Sequence, residues 1–88
     1  KSLQGKWGGS SQIKGLATRI TLLFEADGTL RIERALEGKS TTVVGKWMTH
    51  KDNLRLIYSN QSKVKPYRQL GSTLQFEFEQ ANITFYRK

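Results

Sequence analysis

Hydrophobic residues make up 36% and charged residues 25% of this 88-residue chain, a balance too apolar for a disordered protein and typical of a folded soluble domain. The 15 lysine and arginine residues exceed the 7 acids by a formal net charge of +8, which speeds association with polyanions and repels basic proteins. The absence of cysteine excludes disulfides, thiolate catalysis and cysteine-based metal sites.

An alternation of apolar and polar residues, rather than a helical period, runs along most of the chain. The alternating apolar positions are Ile20, Leu22 and Phe24; Leu30 and Ile32; Val43 and Trp47 around Gly45; Leu54, Leu56 and Tyr58; Leu74, Phe76 and Phe78; and Ile83 and Phe85. A first strand at residues 3–7 and a weaker one at 64–70 complete the set. We therefore predict one all-β domain over residues 1–88, an antiparallel up-and-down meander closing into a roughly eight-stranded barrel.

The turns follow from the requirement that inward-facing residues oppose each other across each hairpin. The predicted loops and opposed pairs are residues 26–28 with Phe24 opposite Leu30; residues 38–39 with Leu36 opposite Thr41 and Ile32 opposite Gly45; and residues 80–81 with Phe78 opposite Ile83, Phe76 opposite Phe85 and Leu74 opposite Arg87. In this register Gly45 leaves room for Ile32.

Three further segments have the composition of loops or irregular strands. Residues 8–15 contain four glycine and serine residues in succession and are predicted to form a mobile flap, and residues 59–63 are predicted to form a second loop. Pro66 cannot donate a hydrogen bond to a neighbouring strand, so the strand at 64–70 is expected to be bulged or irregular there.

Short motifs spread in order along the chain carry a family resemblance. They are Leu3-x-Gly5-x-Trp7, Phe24-x-x-Asp27-Gly28-Thr29-Leu30, Gly45-x-Trp47 followed by Asn53-Leu54-x-Leu56, and an arginine in the last strand. Together they resemble the small bacterial lipocalin-like domains, relatives of the calycin superfamily. The resemblance implies an extracytoplasmic protein, periplasmic, secreted or lipid-anchored, that binds ligands without catalysis. The chain is about half a lipocalin's length, so deep retinoid-type binding is not implied.

The meander order separates a closed end of the barrel from an open one. The resemblance implies that Trp7 packs across the closed end under Arg87, and side-chain parity places both residues there independently, where a cation over the indole contributes roughly 0.5 to 2 kcal/mol. Gly5, Trp7, Trp47 and Arg87 are therefore predicted to form a structural latch.

The open end, or mouth, is the predicted ligand site. Its candidate residues are Arg34, Tyr58, Thr41, Ile20 and Phe78. Parity aims Arg34 inward, where an unpaired guanidinium is costly, so Arg34 and the Tyr58 hydroxyl could hold the anionic group of an amphipathic ligand. The alternative is that Arg34 extends out of the mouth and only its stem covers apolar neighbours.

A rival function is an interaction module with a filled, ligand-free barrel. A basic outer face is predicted from Lys46, Lys51, Arg55, Lys63, Lys65 and Arg68. Outward parity also places Val44, Met48 and Ile57 on the outer wall, with Leu23 elsewhere on it, which suggests a protein contact. Such a face could bind a protein or an anionic surface, whereas nucleic acid ranks third because no recognised nucleic-acid motif accompanies it.

The sequence offers few candidate residues for catalysis or metal binding. His50 is the only histidine, and no serine and acid are placed to form a triad with it. Outward parity separates Glu25, Glu33, Glu77 and Glu79, so no converging carboxylate pair is predicted. We therefore expect no catalytic residues, no cofactor and no metal site, and hence no enzymatic activity.

Overall fold

The computed structural model describes residues 3–13 and 15–88, and the side chains of all of these except Ile13. Eight antiparallel strands follow one another around a closed barrel in chain order, which confirms the predicted fold class. They are β1 Gly5–Ile13, β2 Leu16–Phe24, β3 Thr29–Leu36, β4 Lys39–His50, β5 Asn53–Tyr58, β6 Gln61–Leu70, β7 Thr73–Phe78 and β8 Ala81–Arg87. None of the described residues belongs to a helix long and apolar enough to cross a membrane.

The barrel interior is filled by the inward positions of the alternating pattern. The buried apolar residues are Leu3, Trp7, Ile20, Leu22, Phe24, Leu30, Ile32, Leu54, Leu56, Tyr58, Leu74, Phe76, Phe78, Ile83 and Phe85. Of the predicted core positions, only Val43 and Trp47 remain half-buried, and both pack against this cluster. Each large apolar side chain removed from water contributes roughly 1.5 to 3 kcal/mol, so this single cluster is the main source of stability.

One predicted turn is confirmed, and the other two lie one residue earlier than predicted, which displaces the pairing of their strands by two residues. Phe24 is opposite Leu30, with Gly28 in the left-handed region at φ 92°. In the β3–β4 hairpin, however, Leu36 is opposite Lys39, so the loop is 37–38 rather than 38–39. In the β7–β8 hairpin, Phe78 is opposite Ala81, so the loop is 79–80 rather than 80–81.

The pairs predicted from those two registers are therefore wrong. Val43 replaces Gly45 as the partner of Ile32, Ile83 replaces Phe85 as that of Phe76, and Phe85 replaces Arg87 as that of Leu74. Because each displacement is two residues, every side chain keeps its predicted face. This is why the core was predicted correctly even though the pairs were not.

The predicted role of Gly45 also changes with the register. Its partner on β3 is Leu30 rather than Ile32. A Cβ atom at Gly45 would collide with the Ile57 carbonyl oxygen and come within 2.9 Å of the Tyr58 Cβ. Gly45 is thus required for the close approach of β5, because no side chain fits between the two backbones.

The predicted flap at residues 8–15 is wrong over the part that the structure describes. Residues 8–13 continue β1, paired with β2, whereas Lys14 lies outside the described residues. Small residues are needed here for packing: a Cβ atom on Gly9 would lie 2.9 Å from the Phe85 ring and 3.1 Å from the Thr84 carbonyl oxygen. The predicted loop at 59–63 is likewise reduced to a turn at 59–60, with β6 beginning at Gln61.

The rim of the mouth is uneven because the strands differ in how far their pairing extends. Residues 39–45 of β4 pair with β3 but not with β5, whose ladder to β4 begins at Lys46 opposite Ile57. The ladder from β1 to β8 contains only Trp7 opposite Arg87 and Gly8 opposite Tyr86. The β1–β2 and β3–β4 hairpins, joined by pairing of Arg19 with Ala35, therefore extend beyond the other four strands as a tall wall.

Strand β6 is continuous through Pro66, so the predicted bulge is not observed, and the strand begins three residues before the predicted 64–70 segment. The irregularity lies in its pairing instead. Residues 61–66 pair with β5, whereas the ladder to β7 starts only at Tyr67 opposite Phe76.

Candidate functional site

The closed end is built around Trp7, which is fully buried. Its Nε1 donates a hydrogen bond of 2.9 Å to the Leu3 carbonyl oxygen, and the Arg87 guanidinium carbon lies 4.2 Å from its ring centroid. Arg87 Nη1 also donates to the Gln4 carbonyl oxygen at 2.8 Å. A Cβ atom at Gly5 would lie 2.7 Å from that same Arg87 nitrogen, so the glycine keeps the arginine's position open.

Trp47 occupies the neighbouring part of the closed end. Its ring meets Phe24 edge-to-face with a centroid separation of 5.0 Å, a favourable geometry for aromatic pairs. Trp47 Nε1 donates to the Glu25 carbonyl oxygen at 2.9 Å. Both tryptophan N–H groups are thus satisfied by backbone carbonyls, which fits a structural role for this end of the barrel.

The mouth contains an open concavity of about 630 Å³ beside the tall wall. Its lining residues are Thr18, Arg34, Leu36, Glu37, Lys39, Thr41 and Glu79. Six of these seven come from the β1–β2 and β3–β4 hairpins, and Glu79 alone comes from the opposite side. The concavity is therefore a shelf backed by one wall and not a deep chamber.

A polar cluster separates the shelf from the apolar core. Arg34 and Glu79 form a two-point ion pair, with Arg34 Nε 3.2 Å from Glu79 Oε1 and Arg34 Nη2 bonded to Oε2. The Tyr58 hydroxyl donates to the same Oε2 at 3.3 Å. Glu79 was predicted to point outward; that prediction is wrong, because Glu79 lies in the 79–80 turn and reaches across the mouth to β3.

This cluster changes the interpretation of Arg34. Arg34 pairs with the Glu79 carboxylate of this protein, whereas the prediction assigned that role to the anionic group of a ligand. The Arg34 guanidinium carbon also lies 5.8 Å from the Phe78 ring centroid. The shelf as a whole pairs two cations, Arg34 and Lys39, with two acids, Glu37 and Glu79. Its formal charge is therefore zero, so the shelf does not select anions in preference to other polar groups.

Burial, and after it the nearby Glu79 carboxylate, which disfavours a second negative charge, together raise the pKa of Tyr58 to about 12. Tyr58 is thus a neutral hydrogen-bond donor throughout the physiological range. Within the cluster Tyr58 therefore serves as a neutral donor beside the Arg34–Glu79 ion pair.

The five predicted mouth residues occupy three different environments. Arg34 and Thr41 line the shelf. Tyr58 lies with the ion pair at the boundary of the core, stacked on Phe78 at 6.1 Å between centroids. Ile20 is only 1% exposed and does not reach the shelf, because it lies in the core opposite Arg34. Two residues of the mouth were not predicted from the sequence: Thr18, a buried polar residue of the shelf, and Glu79.

The predicted basic outer face is smaller than expected. Lys46, Lys51, Arg55 and Arg68 are exposed, but Lys63 and Lys65 are half-buried. These two lysines pair with Leu56 and Leu54, whose side chains are in the core, so they share the inward face of the sheet. Their assignment to the outer face is therefore wrong.

The predicted outer apolar patch is present in part. Val44 and Met48 are 56% and 50% exposed, whereas Ile57 and Leu23 are half-buried. Val64, at 48% exposed, belongs to the same wall and was missed. Met48, Arg55 and Val64 are cross-strand neighbours, so an arginine lies between two exposed apolar side chains.

Within residues 3–13 and 15–88 no three histidine, aspartate or glutamate side chains come together as a metal site would require. Three of the seven acids instead pair with cations: Glu25 with Arg31 at 2.6 Å and Glu77 with Lys65 at 3.3 Å, besides the Glu79 pair. The described residues therefore provide no ligand set for a metal ion.

Comparison with known proteins supports the architecture and leaves the family open. No protein-family model matches the chain, and no curated protein sequence matches it. Among solved structures, the crystal structure of lipoprotein YedD from Klebsiella pneumoniae superposes with a TM-score of 0.71 and 17% sequence identity, covering 99% of this chain and 72% of that one. At this identity the likeness establishes a shared barrel fold and nothing finer.

Proposed function

We propose that this protein is a non-enzymatic, lipocalin-like binding protein that holds a small amphipathic ligand on the mouth shelf. The observation that carries the proposal is the concavity of about 630 Å³, within the 300 to 1,000 Å³ range typical of small-molecule sites. Among the described residues Leu36 is its one apolar lining residue, and further apolar contact comes from the stems of its longer charged side chains.

The charges of the shelf define the class of ligand. Because Arg34 is already paired with Glu79, a ligand carboxylate would have to displace that internal partner at the cost of leaving Glu79 unpaired. A polar head that is uncharged or zwitterionic can instead hydrogen-bond to the outer atoms of the ion pair and to Thr41 or Thr18. We therefore favour a neutral or zwitterionic amphiphile over a simple anion.

An extracytoplasmic location is part of the proposal. The motifs shared with lipocalin-like domains imply it, and the structurally similar YedD is a lipoprotein. A lipid-anchored or periplasmic protein would meet amphipathic molecules released from or travelling between membranes.

The experiment is native mass spectrometry of the gently purified protein, followed by extraction and identification of any bound molecule. Leu36→Arg places a large cation on the shelf, and Thr42→Arg places the same side chain on the outward face of β4, where Thr42 is exposed. We expect the bound mass to be lost in the Leu36 variant and kept in the Thr42 variant. Equal retention in both would refute binding on the shelf.

A second function is supported by the exposed row Met48, Arg55 and Val64 on the outer wall. Apolar groups flanking an arginine can dock on a protein partner or an anionic surface. A test is to immobilise the protein and measure retention of heparin, as a model polyanion, with Arg55→Glu against Lys39→Glu as the charge-matched control. Equal loss of retention in both would show that total charge alone is responsible, and would remove the support for a localised face.

A further inference from the structure

The barrel wall is incompletely closed between β6 and β7. β6 pairs with β5 over residues 61–66 but with β7 only over residues 67–70, opposite residues 73–76. Beside residues 77–78 of β7, no described residue of β6 continues the ladder. A cavity of about 50 Å³ lies in this gap, here named the β6–β7 slit. Its lining residues are Leu54, Leu56, Tyr58, Lys63, Lys65, Phe76, Glu77, Phe78, Glu79 and Gln80.

Pro66 explains where the ladder stops. Tyr67 donates its backbone N–H to the Asp52 carbonyl oxygen at 3.0 Å, on the β5 side. Successive residues of a strand direct their backbone groups to opposite neighbours, so Pro66 presents its backbone to β7, where proline has no N–H to donate. The missing N–H of Pro66 therefore determines where the slit begins.

Two lysines that are not part of the core cluster face this slit. Lys63 and Lys65 are cross-strand partners of Leu56 and Leu54, and both are half-buried. Aromatic rings form part of the lining, where Phe76 and Phe78 meet edge-to-face with their centroids 6.0 Å apart. Cationic head groups thus lie over an apolar floor, an arrangement that suits an anion carrying a hydrocarbon group.

The two lysines differ in their charge partners. Lys65 Nζ lies 3.3 Å from Glu77 Oε1, across the gap. Lys63 has no ion-pair partner among the described residues. The other nearby acid, Glu79, is engaged by Arg34. The two lysines and two glutamates that line the slit also sum to zero, but Glu79 is already paired with Arg34 of the shelf. Among the described lining residues this leaves Lys63 as a cation without an ion-pair partner.

We propose that the β6–β7 slit binds the head of an anionic amphiphile of the alkyl-carboxylate class. The carboxylate accepts a charge-assisted hydrogen bond from Lys63, and the first methylene groups contact Leu54, Leu56 and Phe76. A cavity of 50 Å³ holds about three or four waters, so it accommodates the head and first carbons while a longer chain extends out of the wall. This site goes beyond the proposed shelf function, since its position and preferred charge are both different.

The experiment is a titration of the ¹⁵N-labelled protein with decanoate, followed by amide shifts in two-dimensional NMR spectra, with acetate and decanol as head-only and tail-only probes. Lys63→Met removes the charge and keeps the stem over the apolar floor. Lys46→Met is the matched control, because it makes the same change at an exposed outer position. A native-like spectrum of each variant establishes that it is folded.

We expect decanoate to shift amides of residues 61–65 and 76–79 saturably, and more strongly than acetate or decanol does. The dissociation constant should rise about tenfold in Lys63→Met, as loss of one charge-assisted hydrogen bond predicts, and stay unchanged in Lys46→Met. Saturable shifts confined to residues 18 and 34–41 would overturn the slit and support the shelf. No saturable shift anywhere would also overturn the slit, because it would show that the lysine stems only cover apolar surface, while the shelf proposal would still depend on its own extraction experiment.

Discussion

The two ends of the barrel use the same pair of groups, an arginine above an aromatic ring, in different ways. At the closed end Arg87 lies 4.2 Å from the Trp7 ring and donates to a backbone carbonyl. At the open end Arg34 lies 5.8 Å from the Phe78 ring and pairs with the Glu79 side chain. A backbone partner is fixed in place by the fold, whereas at the open end both partners are side chains that can rotate.

The turns at the two ends also differ in which residues occupy left-handed backbone positions. Non-glycine residues with positive φ at the open end are Glu37, Ser59, Asn60, Glu79 and Gln80. Among the described closed-end turns, the only such residue is Lys51, and glycine occupies the left-handed positions at Gly28 and Gly71. Backbone strain of this kind costs of order 1 kcal/mol or more per residue. The open end therefore retains strain that the closed end avoids.

The largest expected effect distinguishes the ends by stability. Trp7→Ala should lower the free energy of unfolding by about 3 to 5 kcal/mol, because removal of a fully buried indole leaves a cavity that the surrounding side chains fill only in part. Urea denaturation followed by Phe and Trp fluorescence measures this. A loss below about 1 kcal/mol would mean that the chain termini do not depend on this residue to close the barrel.

The next effect concerns the ion pair at the open end. Glu79→Gln leaves the half-buried Arg34 without a counter-charge and should cost about 1 to 2 kcal/mol. Arg34→Met/Glu79→Gln should cost less than the sum of the single changes, because the pair is lost only once. Urea denaturation of all four proteins gives the coupling free energy. Additive losses would show that the two side chains do not interact in solution.

Tyr58 adds a pH dependence to the open end. Its pKa is raised from 10.0 to about 12 in the folded protein, so the folded state holds the phenolic proton more tightly than the unfolded state does. The resulting stability is fully present below pH 10 and is lost as the pH rises from about 10 to about 12. Stability curves of the wild type and Tyr58→Phe should therefore converge over this window. Parallel curves would contradict the assigned shift.

Alternation made the fold and the facing of nearly all core residues predictable from the sequence. The registers were less predictable, because Glu37, Glu79 and Gln80 occupy left-handed turn positions. Asparagine and glycine usually mark such positions in a sequence. Placing the second turn one residue too late, which displaces the register by two, hid Glu79, and with it the partner of Arg34. The ion pair depends on contacts 45 positions apart in sequence, which no local pattern reports.

Strand β6 shows a different limit. Its inward positions are Lys63, Lys65, Tyr67 and Gln69, which lack the apolar pattern that identifies an inward face. Composition therefore assigned the lysines to the solvent. Only their pairing with Leu56 and Leu54 reveals their facing, although Pro66 correctly marked this strand as unusual.

The smallest expected effects come from single substitutions in one turn at each end of the barrel. Gly71→Ala at the closed end puts a side chain at φ 59°, with no atom within 4 Å of the added Cβ, so the expected loss of about 1 kcal/mol comes from backbone strain alone. Gln80→Gly at the open end relieves strain of similar size at φ 73°, but the added freedom of the unfolded chain offsets roughly 0.4 to 1 kcal/mol of that gain. The net change should lie within about 0.5 kcal/mol of zero. Thermal unfolding of both variants decides the matter: a loss at Gln80 as large as that at Gly71 would mean that the open-end turn is not strained, and the contrast between the two ends would then rest on their arginine partners alone.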